Sequence, residues 1–464
     1  MGIFFRLLIS LLCPIALGYF MLARVKDENK YFYHLERFSL AFILGIGGLT
    51  WLMFTLSFLG IDFDFLYFFL VLITITAAVY VILAARNRSA GFQDYLLSVR
   101  AYRPSLFQVV VFSAIVLICL LVLPHWYMFP LAAWDGWAIY GFKSKALYLA
   151  KSVPLDFFID PTKAFAHLDY PLLFPLVEAW VYTVLDSWND QLVNIVFLFY
   201  FLSFLIIFYF NLRSFTNRSF ALLFTFFLTL IPKFTDFMLC GYSDLALLVY
   251  YFVSLIYLLR WSLQPERISF LCVSAICSGL AAWTKNEGLA FCLINFTILV
   301  FLLFIRHKRT STNWRLVVCY FGLVMIIILP WMIFKARLRI PNDLINSQNI
   351  SLNILRENLY RVPIIFSYFK RFMIILSDWN ILWVSLPLII LLRIKRVFSH
   401  PALLILLSML AYFTIWFFIY MITPRQINWH LVNSLERLLL QMVPLALFSI
   451  ALLLSPPKES KPCA

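Results

Sequence analysis

The chain has 464 residues, 64% hydrophobic and 13% charged, with a formal net charge of +15 and a mean hydropathy of +0.92. A soluble core of this size cannot hide that much apolar surface, so the solvent is lipid. The apolar runs are unbroken where barrel strands would alternate, which leaves an all-α polytopic membrane protein.

Taken in chain order, the apolar runs predict helices over 3–23, 38–60, 65–85, 105–124, 192–212, 219–232, 244–260, 268–284, 289–305, 316–334, 379–392, 401–422 and 437–454. The first run is longer than a signal-peptide core and a basic loop follows it, so it is expected to be retained as a helix. The loops 24–37, 86–104, 213–218, 260–267, 306–315, 393–396 and the tail 456–464 hold 21 Lys/Arg against 6 Asp/Glu. The opposite loops hold 15 against 16. The excess on one side equals the whole net charge, so the basic balance reports topology and not a nucleic-acid partner. The segment from Pro171 to Leu185 is short for a span and has no basic flank. It is expected to be a re-entrant or interfacial helix on the outer side, leaving about thirteen crossings. The eight cysteines are scattered through apolar runs without metal-ligand spacing and read as buried hydrophobes.

Three regions follow from the loops. Residues 1–104 hold the N-terminal helices and basic inner loops. Residues 105–305 form a core with the outer loop 125–191, and residues 306–464 carry the C-terminal helices with the outer loop 335–378. A shorter outer element, 423–437, precedes the last helix.

The chemistry sits in the outer loops. Asp135, in Trp134-Asp135-Gly136-Trp137, follows a predicted helix end. It is a candidate base for an acceptor hydroxyl at the bilayer surface, or the N-cap of the next helix. Residues 137–151 have helical spacing, with Trp137, Tyr140, Ala146, Leu147 and Tyr148 on an interfacial side. Lys143, Lys145 and Lys151 then reach toward water or a phosphate. His167, Asp169 and Tyr170 stand before the short apolar helix, where Pro171 and Pro175 fix an extended entry. Asp244 begins a helix at the outer face, with Ser243 as an alternative cap. Lys285 and Glu287, in Thr284-Lys285-Asn286-Glu287-Gly288, interrupt a helical hairpin, either as a paired polar turn or as a phosphate grip. His430 and Arg437 are expected to bracket the start of the final helix, with Arg437 a phosphate partner or an interfacial arginine.

These motifs, in this order, resemble the GT-C class of membrane glycosyltransferases over roughly residues 105–305. The nearest branch is the one related to protein O-mannosyltransferases, lipid A aminoarabinose transferase and the rhizobial lipopolysaccharide galacturonosyltransferases. The resemblance implies a reaction at the outer face of a bacterial inner membrane, moving a sugar from a polyprenyl phosphate to a lipid, glycan or protein acceptor. It places Asp135 and Asp244 at the class's acidic positions. It also puts Lys285 and the His167–Tyr170 segment where relatives hold the lipid phosphate. Two departures leave the acceptor and any divalent cation open: Gly136 stands where relatives pair two acids, and Asp169-Tyr170-Pro171 where they carry Lys-Pro-Pro. An Asn349-Ile350-Ser351 sequon keeps an endoplasmic-reticulum location open. An O-antigen ligase or polymerase, and a lipid or solute transporter or flippase, are the competing readings. A transporter is expected to bury charges at mid-bilayer, whereas here most charges fall near helix ends.

Overall fold

The computed structural model describes residues 2–23, 34–87, 103–131, 133–307, 314–344 and 351–455. Most of the basic loops and the Asn349 sequon lie outside those residues. Among the described residues every regular element is helical. In chain order the α-helices are α1 (Ile3–Ala23), α2 (His34–Ser57), α3 (Phe63–Asn87), α4 (Leu106–Met128), α5 (Phe142–Ala150), α6 (Leu155–Ile159), α7 (Leu173–Leu185), α8 (Ile195–Phe215), α9 (Arg218–Thr229) and α10 (Pro232–Leu239). They continue with α11 (Asp244–Leu263), α12 (Ile268–Thr284), α13 (Gly288–His307), α14 (Arg315–Leu338), α15 (Leu352–Glu357), α16 (Arg361–Met373), α17 (Leu376–Trp379), α18 (Leu382–Leu392), α19 (Ile394–Val397), α20 (His400–Ile422) and α21 (Ile427–Leu454).

Nine of these helices are long and apolar enough to cross a membrane, or ten if α9 and α10 count as one bent span. The chain is therefore a polytopic helical membrane protein. The expected single helix over 219–232 breaks at Pro232, which opens α10 as its first residue and turns the chain by 71°. The expected span over 379–392 is the short turn α17 followed by the eleven-residue α18. The segment expected to be re-entrant forms α7, thirteen residues long and buried except at Thr183.

α11 is the axis of the bundle. It packs against α8, α12, α13 and α21, and 94% of its apolar window is buried. Its two ends carry different chemistry. Arg260, near its C-terminus, meets the buried Glu36 at 2.7 Å, with Tyr257 and Asn211 also donating to Glu36. Asp244, at its N-terminus, opens another cluster about 24 Å away by helix rise.

Candidate functional site

Asp135 starts a seven-residue π-helical turn, Asp135–Gly141, that runs directly into α5. Gly136 is held against the neighbouring loop. A Cβ there would stand 2.7 Å from the carbonyl oxygen of Cys240, so no side chain fits beside Asp135. The partner of Asp135 comes from another helix.

The capping readings fail at both carboxylates. Trp134 and Ser243 occupy the N-cap positions and neither makes a side-chain cap bond. Asp135 instead accepts from Arg437, which also lies 4.0 Å from Asp244. Asp244 is fully buried; it accepts from Gln441 at 2.7 Å and from Lys285 at 3.2 and 3.3 Å. Lys285 contacts Glu287 at 2.9 Å. Tyr412 donates to Gln441, and Ser243 donates to the Tyr140 hydroxyl at 2.5 Å. Burial, reinforced by Asp135 and Asp244, holds the Tyr140 phenol well above its usual range.

The turn that presents Lys285 depends on Gly288. A Cβ there would lie 2.0 Å from the carbonyl oxygen of Ala281, and its N–H donates back to Lys285 at 2.9 Å. Burial alone lowers the Lys285 ammonium, but Asp244 and Glu287 outweigh it and the net direction is upward.

A second cluster adjoins the first through Tyr170, whose ring lies 6.0 Å from the Lys285 ammonium and 5.7 Å from that of Lys143. His167 stacks on Tyr170 at 4.7 Å between ring centroids and meets Asp343 through Nδ1. Arg425 reaches the same Asp343 carboxylate at 3.6 Å. Asp169 accepts from Asn286 at 2.7 Å. Burial raises the Asp169 carboxyl, with Asp343 adding to the effect. For Asp343, burial is outweighed by His167 and Arg425, so its carboxyl is lowered.

Lys143 does not reach toward water as expected. It is buried and donates to the His167 carbonyl at 2.6 Å, and burial pushes its ammonium down to about 7 against Asp169 and Asp343. Lys143 shares the buried face of α5 with Ser144 and Leu147, where the His167 carbonyl takes its ammonium. Lys145 also departs from expectation. It pairs with Asp190 at 2.7 Å, outside both clusters, and Tyr182 braces the same carboxylate at 2.9 Å. His430 and Arg437 do not bracket a helix start. Both lie inside α21, which begins ten residues before Arg437.

The remaining predicted residues converge. Asp135, Asp244, Lys285, Glu287 and Arg437 form one network, and His167, Asp169, Tyr170 and Lys143 form the adjoining one. Four participants were not anticipated: Asp343, Arg425, Gln441 and Tyr412. Lys233 bonds Glu436 at 2.6 Å beside these networks.

Two cavities meet here. A cleft of about 450 Å³ carries Asp135, Arg437, Glu287, His167, Arg425 and Asp343 on its walls, with the exposed Trp134 and Trp429 also among its walls. An apolar groove of about 310 Å³ is walled by Leu289, Leu293, Ile415 and Ile419 from α13 and α20. The two share Tyr170, Glu287, Asp343, Leu344 and Trp416. Leu289 and Leu293 are exposed on α13. The chain matches no protein-family profile, no curated protein and no solved structure.

Proposed function

We propose that the protein is a membrane glycosyltransferase that moves a sugar from a polyprenyl-phosphate donor to a lipid, glycan or protein acceptor on the outer face of a bacterial inner membrane. The observation that carries this reading is the shared wall between a charged cleft and an apolar groove beside exposed α13. A polyprenyl chain suits the groove, and its phosphate then arrives at the ionic network. This is the division a lipid-linked donor needs, with apolar contact for the tail and a few fixed charges for the head.

The chemistry asks for placement and charge stabilisation. An acceptor hydroxyl at Asp135 attacks the anomeric carbon. The new carbon–oxygen bond forms as the bond to the phosphate oxygen breaks, and the acceptor proton passes to the carboxylate. The leaving polyprenyl phosphate takes the electron pair, and Arg437, Lys285 and Lys143 stabilise its charge. Asp244 positions Arg437 and Lys285. One displacement inverts the anomeric centre. Exposed Trp134 and Trp429 supply flat faces for a sugar ring.

The test is direct. Full-length protein in liposomes is given polyprenyl-phosphate sugars with a mixed envelope-lipid acceptor fraction, and free polyprenyl phosphate is measured. Acceptor-dependent release is expected. Polyprenyl phosphate that neither binds nor is released, across hexose and pentose donors, defeats the proposal.

A further inference from the structure

His167, Asp169 and Asp343 come from two loops far apart in sequence, yet one ligand atom from each lies within 4.8 Å of the others. Asp169 is 1% exposed and uses Oδ2 for Asn286, while its Oδ1 has no hydrogen-bond partner among the described residues. Leaving a buried carboxylate oxygen unpaired is costly, so its retention calls for a partner. The His167 ring is held by its stack on Tyr170 and by Nδ1 against Asp343.

We propose that His167, Asp169 and Asp343 form a binding site for a divalent transition cation, Mn²⁺ or Zn²⁺. One imidazole nitrogen with carboxylate oxygens suits these ions better than Mg²⁺ or Ca²⁺, which favour all-oxygen shells. Metal–ligand bonds of about 2.1 Å set tetrahedral ligand atoms about 3.4 Å apart, and the ligand atoms of this cluster lie within 4.8 Å of one another. His167 and Asp343 stand on the cleft wall, so remaining coordination positions face the cleft.

Three cations oppose metal here: Lys143, Lys335 and Arg425. An anionic ligand in the cleft offsets them. A metal at this site would supply positive charge and a Lewis acid for a phosphate oxygen. The site itself stands on the cluster's geometry and not on sugar transfer, so metal binding and transfer succeed or fail separately.

Full-length protein in nanodiscs, stripped with a chelator, is titrated with Mn²⁺ alone and followed by electron paramagnetic resonance. One ion per chain is expected. His167→Ala and Asp343→Asn should each weaken uptake by at least about tenfold, and Lys145→Ala should bind as wild type does. No saturable uptake by wild type up to about 1 mM Mn²⁺, where binding free energy is only about 4 kcal/mol, overturns the proposal. So does unchanged uptake in both ligand variants. If those variants do not fold, X-ray absorption of Zn²⁺-loaded wild type decides: one nitrogen among oxygens is expected, and a sulfur-containing or all-oxygen shell rules the site out.

Discussion

Replacing Lys285 alone should damage the protein more than its share of a double replacement with Asp244. The Lys285 ammonium lies 3.2 and 3.3 Å from the two oxygens of Asp244 and 2.9 Å from Glu287, with its side chain 2% exposed. At 3.2 Å and an effective dielectric of about 20, one unit-charge contact is worth roughly 5 kcal/mol before desolvation is subtracted. Desolvation offsets much of that, whereas stranding one buried partner costs about 3–5 kcal/mol. Lys285→Met leaves Asp244 with Gln441 at 2.7 Å and Arg437 at 4.0 Å. The stranding is partial, and the expected loss is about 3 kcal/mol. Asp244→Asn strands Lys285 against Glu287 alone. The double variant removes both charges and should recover at least about 1.5 kcal/mol of the summed single losses. Thermal unfolding in nanodiscs, followed by fluorescence of the 14 tryptophans, measures all four proteins. Additive shifts across the cycle would refute a coupled ion pair.

Other substitutions separate the site from its surroundings. Lys145→Ala should leave transfer within about twofold of wild type, because Lys145 braces Asp190 outside the clusters; a loss as large as that of Lys143→Met contradicts this division. Gly288→Ala forces backbone at Ala281 to move and should sharply reduce folded yield. Gly322→Ala, where nothing lies within 4 Å of the new Cβ, should change stability by no more than about 1 kcal/mol. Glu36→Gln breaks a buried contact with Arg260 at 2.7 Å and should cost about 3 kcal/mol, yet leave transfer per folded molecule unchanged. Lys285 gains affinity for its proton on folding, since Asp244 and Glu287 outweigh burial. Its contribution is therefore complete below about pH 10.5 and is lost as pH rises through the folded value. The stability deficit of Lys285→Met should be flat from about pH 6 to about pH 9 and shrink only above about pH 10.5.

The cluster was legible where polar residues interrupt apolar runs. Asp135, Asp244 and the 285–287 turn stood out because charge is costly near lipid unless solvated, paired or used. Their convergence was not legible, because it depends on how α11, α12 and α21 pack. Gln441 and Tyr412 were missed although each lies within a long apolar helix, and the polarity of Gln441 there was a usable signal. Asp343 was hidden among other polar residues in the stretch expected to be the loop 335–378. Lys143 was read as water-facing from its charge, whereas it shares the buried face of α5 with Leu147 and spends its ammonium on the His167 carbonyl. Arg437 was put at a helix start because the run of residues 427–437 is too polar to read as part of a span.

The central claim is that Asp135 acts on the acceptor while Arg437 and Lys285 hold the donor phosphate. Asp135→Asn keeps the side chain's shape beside Gly136 and removes its charge. With polyprenyl-phosphate sugar and acceptor supplied in liposomes, the variant should fold and still bind polyprenyl phosphate, but transfer should fall by at least about a hundredfold. Transfer near the wild-type rate in a folded Asp135→Asn protein would contradict the account.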